Sequence, residues 1–584
     1  MSDKNKQFIY HQLVFLYGPE LGSHYYQRLV SLLENFARES HRGIKPNQPL
    51  FDERDVILIT YGNLLREPGR PPLKSLQTFY QEYLSTIINT IHILPFFPYS
   101  SDDGFSIIDY KAVNPALGSW QDITQFSSTG VRLMFDAVIN HISAKSDWFQ
   151  GYLKGDPRFA DFFLEVDPKT DLSMVTRPRA LPLLTAFQTN RGKRYVWTTF
   201  SADQIDLNYH NPETLLAVLE VLLFYIEKGA DLIRLDAIAY IWKEIGTCCI
   251  HLPQTHAIVQ LIRALIDEIA PDVLLITETN VPHEENISYF GDGSNEAHLV
   301  YQFSLPPLTA HALITGSAVY LTRWAAGLRT LSDETTFFNF NASHDGIGIR
   351  PATGILPPED IQMLTARTLA HGGHISSKTD PDGSSSPYEL NITFFDLLNN
   401  PSGNEPVDLQ VRRFLVSQAI LLSMSGIPGI YIHSLLGSRN YTQGVQETGQ
   451  PRTINREKLL LEDVLKDLAN PVSLRHAVFK GYKHLLSHRI QHSAFHPNGE
   501  QRVLSLNDAV FSLLRTSPDG SETILALHNV SNLPQSIHFD PNAWNCSPDS
   551  PLINILKESA RPVQAASPIL LAPYEVAWFK FLTL

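Results

Sequence analysis

Three acids stand where short apolar runs end. LIRLDA places Asp236 two residues after Arg234, LLITET supplies Glu278, and NFNASHDG carries His344 and Asp345. A fourth run, DAVINH, ends in Asn140 and His141. Glycosyl transfer with retention of configuration needs two carboxylates about 5 Å apart, one an ionised nucleophile and the other a proton carrier. Asp236 and Glu278 suit these two parts if their runs are neighbouring strands. Alternation along a strand puts Arg234 on the same side as Asp236, where its charge would hold that carboxylate ionised. Glu278 must start protonated, which a crowded, acid-rich pocket favours. Asp345 would add charge or hydrogen bonds that strengthen as the sugar becomes oxocarbenium-like. A single acid at a strand end is commonly only a surface ion pair; three at successive strand ends form a constellation.

Positioning these residues requires a repeated strand-and-helix scaffold. Eight apolar runs suit buried strands: Val56–Thr60, Ile91–Pro95, Leu133–Asn140, Leu232–Asp236, Leu274–Glu278, Val300–Phe303, Phe337–Phe340 and Gly429–Ile432. Helix-length patterns lie between most of them. In NPETLLAVLEVLLFYIEKGA, Asn211 can cap, Pro212 fits the first turn, Glu213 suits the positive end of the dipole and Gly229 ends the helix. The alternation predicts an α/β fold, a (β/α)₈ TIM barrel over residues 51–490 whose chemistry sits at the C-terminal ends of the strands. Residues 1–50 carry a helical N-terminal extension. The gap after the third run predicts an inserted subdomain over about 142–205. DPDGSSSPYELN predicts a long loop region over about 346–408. Residues 491–584 alternate with turn signals, as in AVFSLLRTS–SPDG–ETILALHNVS, and predict a C-terminal all-β domain.

Composition narrows the partners. The net charge of −14 argues against a general nucleic-acid or anionic-membrane partner, so any anion site must be a local cluster of Arg or Lys. The cysteines Cys248, Cys249 and Cys546 give no disulfide framework. CCIHLPQTH lacks a metal-ligand spacing and suggests a core thiol pair instead. No nucleotide loop is present, and the carboxylate chemistry needs no metal or other cofactor. The N-terminal MSDKNKQFIYHQLVFLYG has no apolar secretion core, and no 18-residue apolar run occurs, so a cytoplasmic protein is expected. The oligomeric state is not written in the sequence.

DAVINH, IRLDA, ITET and SHD, in that order, resemble the α-amylase superfamily, glycoside hydrolase family 13. ITYGNLL, HILPFFPYSSDDGFSIIDY, TRPRALPLLT, KEIGT, FSLPPL and SHDGIGI narrow the resemblance to its sucrose phosphorylase branch, over about residues 55–490. The resemblance implies Asp236 as nucleophile, Glu278 as acid/base and Asp345 as transition-state stabiliser. It implies that Asp102, His141, Arg234, His344 and Arg456 hold a glucose ring, carboxylate–Arg pairs fixing the directions of its hydroxyls. Asp103, next to Asp102 in DDGF, competes for the same part.

A phosphorylase must also bring phosphate to the reaction centre in preference to water. In this branch the candidates are Arg179, with Arg177 beside it in TRPRALP, Tyr240 in RLDAIAY and Tyr388 in SPYELN. The sequence departs from sucrose phosphorylases on the acceptor side. Asn280 stands two residues after Glu278, where those proteins have His, and Glu389 follows Tyr388 where they have Gln. VTRPRALPLLT, SDDGFSIIDY, ITETNVPHEENI and LLGSRN look more similar to glucosylglycerate phosphorylases. That similarity implies small-molecule substrates: an α-glucoside of glycerate, inorganic phosphate and glycerate. The competing expectations are a phosphorylase of sucrose, sucrose 6′-phosphate or glucosylglycerol. More remote are an α-glucosidase or transglucosidase, and a non-catalytic barrel serving as a binding subunit.

Overall fold

The computed structural model describes residues 3–40, 42, 49–179, 181–379, 385–544, 550–557 and 562–582. Eight parallel strands close a barrel: β1 (Ile57–Thr60), β2 (Thr90–Ile93), β3 (Arg132–Ala137), β4 (Leu232–Leu235), β5 (Leu274–Thr277), β6 (Leu299–Tyr301), β7 (Thr336–Phe340) and β8 (Ile427–Tyr431). Each neighbours its predecessor, and β8 returns to β1. All eight expected runs are barrel strands; seven lose one to three residues at one end, and five begin one or two residues earlier than expected. Residues assigned to the last strand positions, Asp236 and Glu278 among them, lie just beyond the ladders, where the chain is free to turn toward the mouth.

The helix Pro212–Glu227 shows why local sequence and packing agree. The Asn211 side chain accepts the Glu213 N–H, Pro212 opens the helix and Gly229 leaves it at φ 95°. Eleven of its sixteen residues are buried, more than one stripe against a barrel would need. The second covering is the N-terminal extension. Its helical stretch Asp3–Glu39 breaks at Gly18, φ 78°, before Pro19. The two arms fold back on each other, with the Tyr10 and Tyr26 rings 5.5 Å apart. Gly22 permits the approach, since a Cβ there would lie 2.7 Å from the Leu13 carbonyl. Arg28 and Tyr25 of this hairpin both bond the Glu213 carboxylate.

Between β3 and β4 the chain builds a small subdomain. His141–Ser143 pairs antiparallel with Gln204–Asp206, and Leu184–Thr189 forms a hairpin with Gly192–Trp197. Its own apolar cluster contains Val175, Leu183, Trp197 and Cys249. Of the expected core thiol pair only Cys249 is buried, and Cys248 is exposed; Cys546 lies outside the described residues. The stretch expected as a long loop, 346–408, contains ordered elements. Helix Pro358–Ala370 and a three-stranded sheet of Ile347–Gly348, Ser385–Asn391 and His374–Thr379 occupy much of it. Pro358 and the acids Glu359 and Asp360 favour that helix start. The Gly/Ser/Pro text falls between the paired strands His374–Thr379 and Ser385–Asn391, and residues 380–384 lie outside the described set.

After the barrel, a six-stranded sheet carries a separate apolar cluster, with Val510–Thr516 paired to Thr523–Asn529 as the hairpin pattern predicts. Two buried arginines brace the barrel floor, Arg489 from the helix Leu474–Arg489 and Arg515 from this sheet. Arg489 donates to the carbonyls of Glu53, Asp55, Leu422 and Gly426, and Arg515 to those of Ser423 and His496. Among the described residues, no helix is long and apolar enough to cross a membrane.

Candidate active site

The mouth of the barrel holds the acids. Leu235 of β4 pairs with Thr277 of β5, so the next residues, Asp236 and Glu278, leave adjacent strands side by side. Asp136 of β3 is the register partner of Arg234. Arg234 is fully buried and donates to Asp136, to Asp236 Oδ1 at 2.8 Å and to the Tyr301 hydroxyl at 2.9 Å. His92 holds the other oxygen of Asp136 at 2.7 Å. Burial works against the Asp136 charge, but His92 and Arg234 overcome it and draw its pKa to about 2. Arg234 is thereby anchored from below.

The two mouth carboxylates receive different treatment. Burial raises the pKa of Asp236, opposed by Arg234 in direct contact and by His141. Glu278 is 3.8 Å from the Arg234 guanidinium and accepts one backbone N–H, from Ala237, at 2.9 Å. Burial, with Asp236 and Asp345 nearby and Arg234 opposing, lifts Glu278 to about 7. The hydrogen-bonded contact to Arg234 belongs to Asp236, so the pair's shared proton resides on Glu278. Ala237 adopts a left-handed φ of 48°, unusual for a residue with a Cβ. That turn aims its N–H at Glu278.

Asp345 lies against a third set of charges. Arg452 bonds it directly, Arg456 is 3.8 Å away and His344 Nε2 3.5 Å. Burial opposes ionisation, yet Arg452 and Arg456 hold Asp345 well below the ordinary carboxylate range. Arg452 also grips Glu389 through two nitrogens at 3.0 and 3.1 Å. Glu389 further accepts the Gly346 N–H at 2.7 Å and is 1% exposed, so it fastens Arg452 from behind. Arg179 reaches within 3.9 Å of the same carboxylate.

One cavity brings together nine of the expected residues: Asp102, His141, Arg179, Asp236, Glu278, Asn280, His344, Asp345 and Tyr388. Arg234, Arg456 and Glu389 form the layer behind it. Tyr240 stands beside it, edge-on to the cavity residue Phe200. Arg177 is not brought in: its guanidinium bonds the Leu181 carbonyl within its own loop. The DDGF pair divides its work. Asp102 faces the cavity, while Asp103 bonds Arg456 at 3.0 Å. Both adopt left-handed φ, 51° and 48°, a local strain characteristic of functional loops.

Five cavity residues escaped the sequence reading: Phe105, Phe200, Gln204, Ala237 and Arg452. Phe105 stacks on His344 with ring centroids 4.6 Å apart, planes within 3°. Arg452 had a legible signal, a second arginine four residues before Arg456 in PRTINRE. Nothing in local pattern singled out Phe200 or Gln204.

Among the described residues, no group of three or more His, Cys, Asp or Glu is placed to hold a metal ion.

Comparison with known proteins places this site in context. The α-amylase catalytic-domain profile matches residues 81–345. A glucosylglycerate phosphorylase of Spirochaeta thermophila is 49% identical, over 97% of this chain and 97% of its own. The glucosylglycerate phosphorylase of Escherichia coli is 46% identical, over 91% of this chain and 94% of its own. Among solved structures, sucrose 6F-phosphate phosphorylase from Thermoanaerobacter thermosaccharolyticum shares the fold. Its TM-score is 0.72 at 24% identity, covering 89% of this chain and 98% of that one. With a closed eight-stranded barrel, three acids at its mouth and near-full-length relatives at this identity, the chain belongs to the glucosylglycerate phosphorylase family of α-amylase-type barrel enzymes.

Proposed function

We propose that the chain catalyses the reversible phosphorolysis of 2-O-α-D-glucosylglycerate to α-D-glucose 1-phosphate and D-glycerate. The observation that carries the reaction type is the unequal pair at the mouth. Asp236 is hydrogen-bonded to Arg234, while its neighbour Glu278 is lifted to about 7. Asp236 attacks the anomeric carbon as Glu278 protonates the departing glycerate oxygen. A β-glucosyl ester forms on Asp236. Glu278, now ionised, takes a proton from the incoming phosphate, whose oxygen displaces Asp236 and restores the α configuration. Asp345, kept ionised by Arg452, faces the positive charge that develops on the sugar. Asp102, His141 and His344 line the glucosyl subsite. Phe105 gives it an apolar wall.

The acceptor side favours an anion. Glycerate and phosphate are both negative, and a chain of net charge −14 with three acids at the mouth repels them unless cations intervene. Arg179 is the arginine of the inserted subdomain that reaches the cavity, and Tyr388 and Asn280 line the same cavity. The guanidinium can grip a carboxylate or phosphate through two parallel hydrogen bonds. Glycerate occupies this position while the glucoside is intact, and phosphate follows once glycerate has left.

The test is a panel of α-glucosides incubated with phosphate, scored by glucose 1-phosphate. Glucosylglycerate should give the highest kcat/KM, with glucosylglycerol, which lacks the carboxylate, well behind. Equal or better cleavage of sucrose or glucosylglycerol would transfer the assignment to a sister phosphorylase.

Arg179→Ala should weaken both anions by about tenfold or more, the usual cost of a lost charged hydrogen bond. Hydrolysis of the glucosyl–enzyme ester should survive much better, so the ratio of glucose to glucose 1-phosphate rises. An unchanged ratio would place the anion elsewhere.

A further inference from the structure

Lys243, in the string KEIGT, has no part in the chemistry above. It is 5% exposed, carried by the chain after β4 beneath the inserted subdomain. Its ammonium lies 2.8 Å from Asn140 Oδ1 and 2.8 Å from Asp206 Oδ2. Burial alone disfavours its charge, and Asp206 opposes that effect. Asp206 is itself tied down by the Thr199 N–H and hydroxyl, each at 2.7 Å.

The hydrogen inventory of this cluster is restrictive. An ammonium donates and cannot accept, so the Asn140 atom facing it must be the amide oxygen. The NH₂ of Asn140 is thereby turned away. It lies 3.1 Å from Asp206 Oδ2 and 3.2 Å from His141 Nδ1. One hydrogen goes to the carboxylate. The other requires a lone pair on His141 Nδ1, which leaves the ring proton on Nε2. Nε2 lies 2.9 Å from the Phe105 carbonyl, which can only accept. Gln204 pulls the other way, since its NH₂ is 3.1 Å from Nε2 and would suit a lone pair there. That NH₂ has the Phe105 carbonyl at 3.1 Å as an alternative acceptor. Asn140 and Phe105 therefore prevail together.

We infer that Lys243 is a positioning residue that sets the tautomer of His141 through Asn140, so that Nε2 carries the ring proton and Nδ1 the lone pair. Nε2–H then donates to the Phe105 carbonyl and Nδ1 accepts from Asn140, which fixes the imidazole in the cavity wall. With the opposite tautomer an N–H would face the Asn140 NH₂ and a lone pair the Phe105 carbonyl, and the ring would lose both anchors. The importance of this for turnover rests on the glucosyl-subsite reading of the cavity; the tautomer itself does not.

The experiment compares wild type, Lys243→Met and the double variant Lys243→Met/Asp206→Asn. Removing one partner of a buried ion pair is strongly destabilising, whereas neutralising both is often tolerated. The double variant thus keeps the test open if the single variant fails to fold. The ring nitrogens of His141 are observed by long-range ¹⁵N–¹H NMR without substrate, assigned by difference from His141→Asn. Wild type should show a proton-free Nδ1. The double variant should show the proton shared between both nitrogens, with kcat/KM for the glucoside lowered about tenfold or more. A folded double variant whose Nδ1 stays proton-free overturns the inference, whatever its rate. A displaced proton with unchanged kcat/KM overturns it as well. Because the tautomer is read without substrate, its failure is distinct from any failure of the phosphorylase assignment.

Discussion

Asp236→Asn should lower the rate of phosphorolysis by about 10⁴-fold or more, with the barrel intact. The amide keeps the shape of the carboxylate, and its oxygen can still accept from Arg234, now 2.8 Å away. Arg234 also retains Asp136 as a charged partner, so no buried cation is left alone. What disappears is the nucleophile. Mass spectrometry after mixing with α-glucosyl fluoride should detect a glucosyl adduct on wild type and none on the variant. Retention of more than about a hundredth of the activity, far above what loss of a covalent nucleophile permits, would remove Asp236 from that role. Formation of β-glucose 1-phosphate by wild type would equally sink double displacement.

Glu278→Gln should cost about 10²–10⁴-fold with glucosylglycerate, the usual range for a lost general acid. Its signature lies in the pH profile. The raised Glu278 is protonated below about 7 and ionised above. Transfer from glucosylglycerate, which consumes that proton, should therefore fall as pH rises through about 7. The limb should be missing in the Gln variant. On the acid side, activity should decline as Asp236 takes up a proton, at a pH above the ordinary aspartate range because burial raises it. With α-glucosyl fluoride, whose leaving group needs no proton, the first step should survive the substitution. Equal loss with both donors would show that Glu278 does something other than donate.

The barrel was legible because buried parallel strands are short continuous apolar runs, and four of the eight end near a recognisable residue. Asp236, Glu278 and Asp345 could be found because strand ends are where a barrel exposes chemistry. For two residues the type was legible but the position was not. Arg452 is visible in PRTINRE, but its place over Asp345 depends on a 3₁₀ turn, Pro451–Asn455, which no periodicity announces. Glu389 was visible as a departure from sucrose phosphorylases, but its buried position behind Arg452 requires the sheet containing Ser385–Asn391. Arg177 and Arg179 are two residues apart and chemically alike, yet only one enters the cavity. The loop's path decides that, and composition does not encode it. The same applies to 346–408, where turn-rich text between two paired strands concealed a helix and a sheet.

The two arginines on the barrel floor bear on how the ring comes to be closed. β1 and β8 are neighbours in space but about 370 residues apart in sequence, so their pairing carries a large loop-closure entropy. Arg489 reaches the carbonyls that precede both strands, those of Glu53 and Asp55 on one side and Leu422 and Gly426 on the other. Arg515, from the C-terminal sheet, takes the adjoining Ser423 carbonyl. During synthesis the first strand waits for the eighth. The clasp over that seam is made only when still later residues have emerged. The last hundred residues thus act as the fastener of a circle begun at residue 57, and a chain stopped short of them would hold all three mouth acids on an unsecured ring.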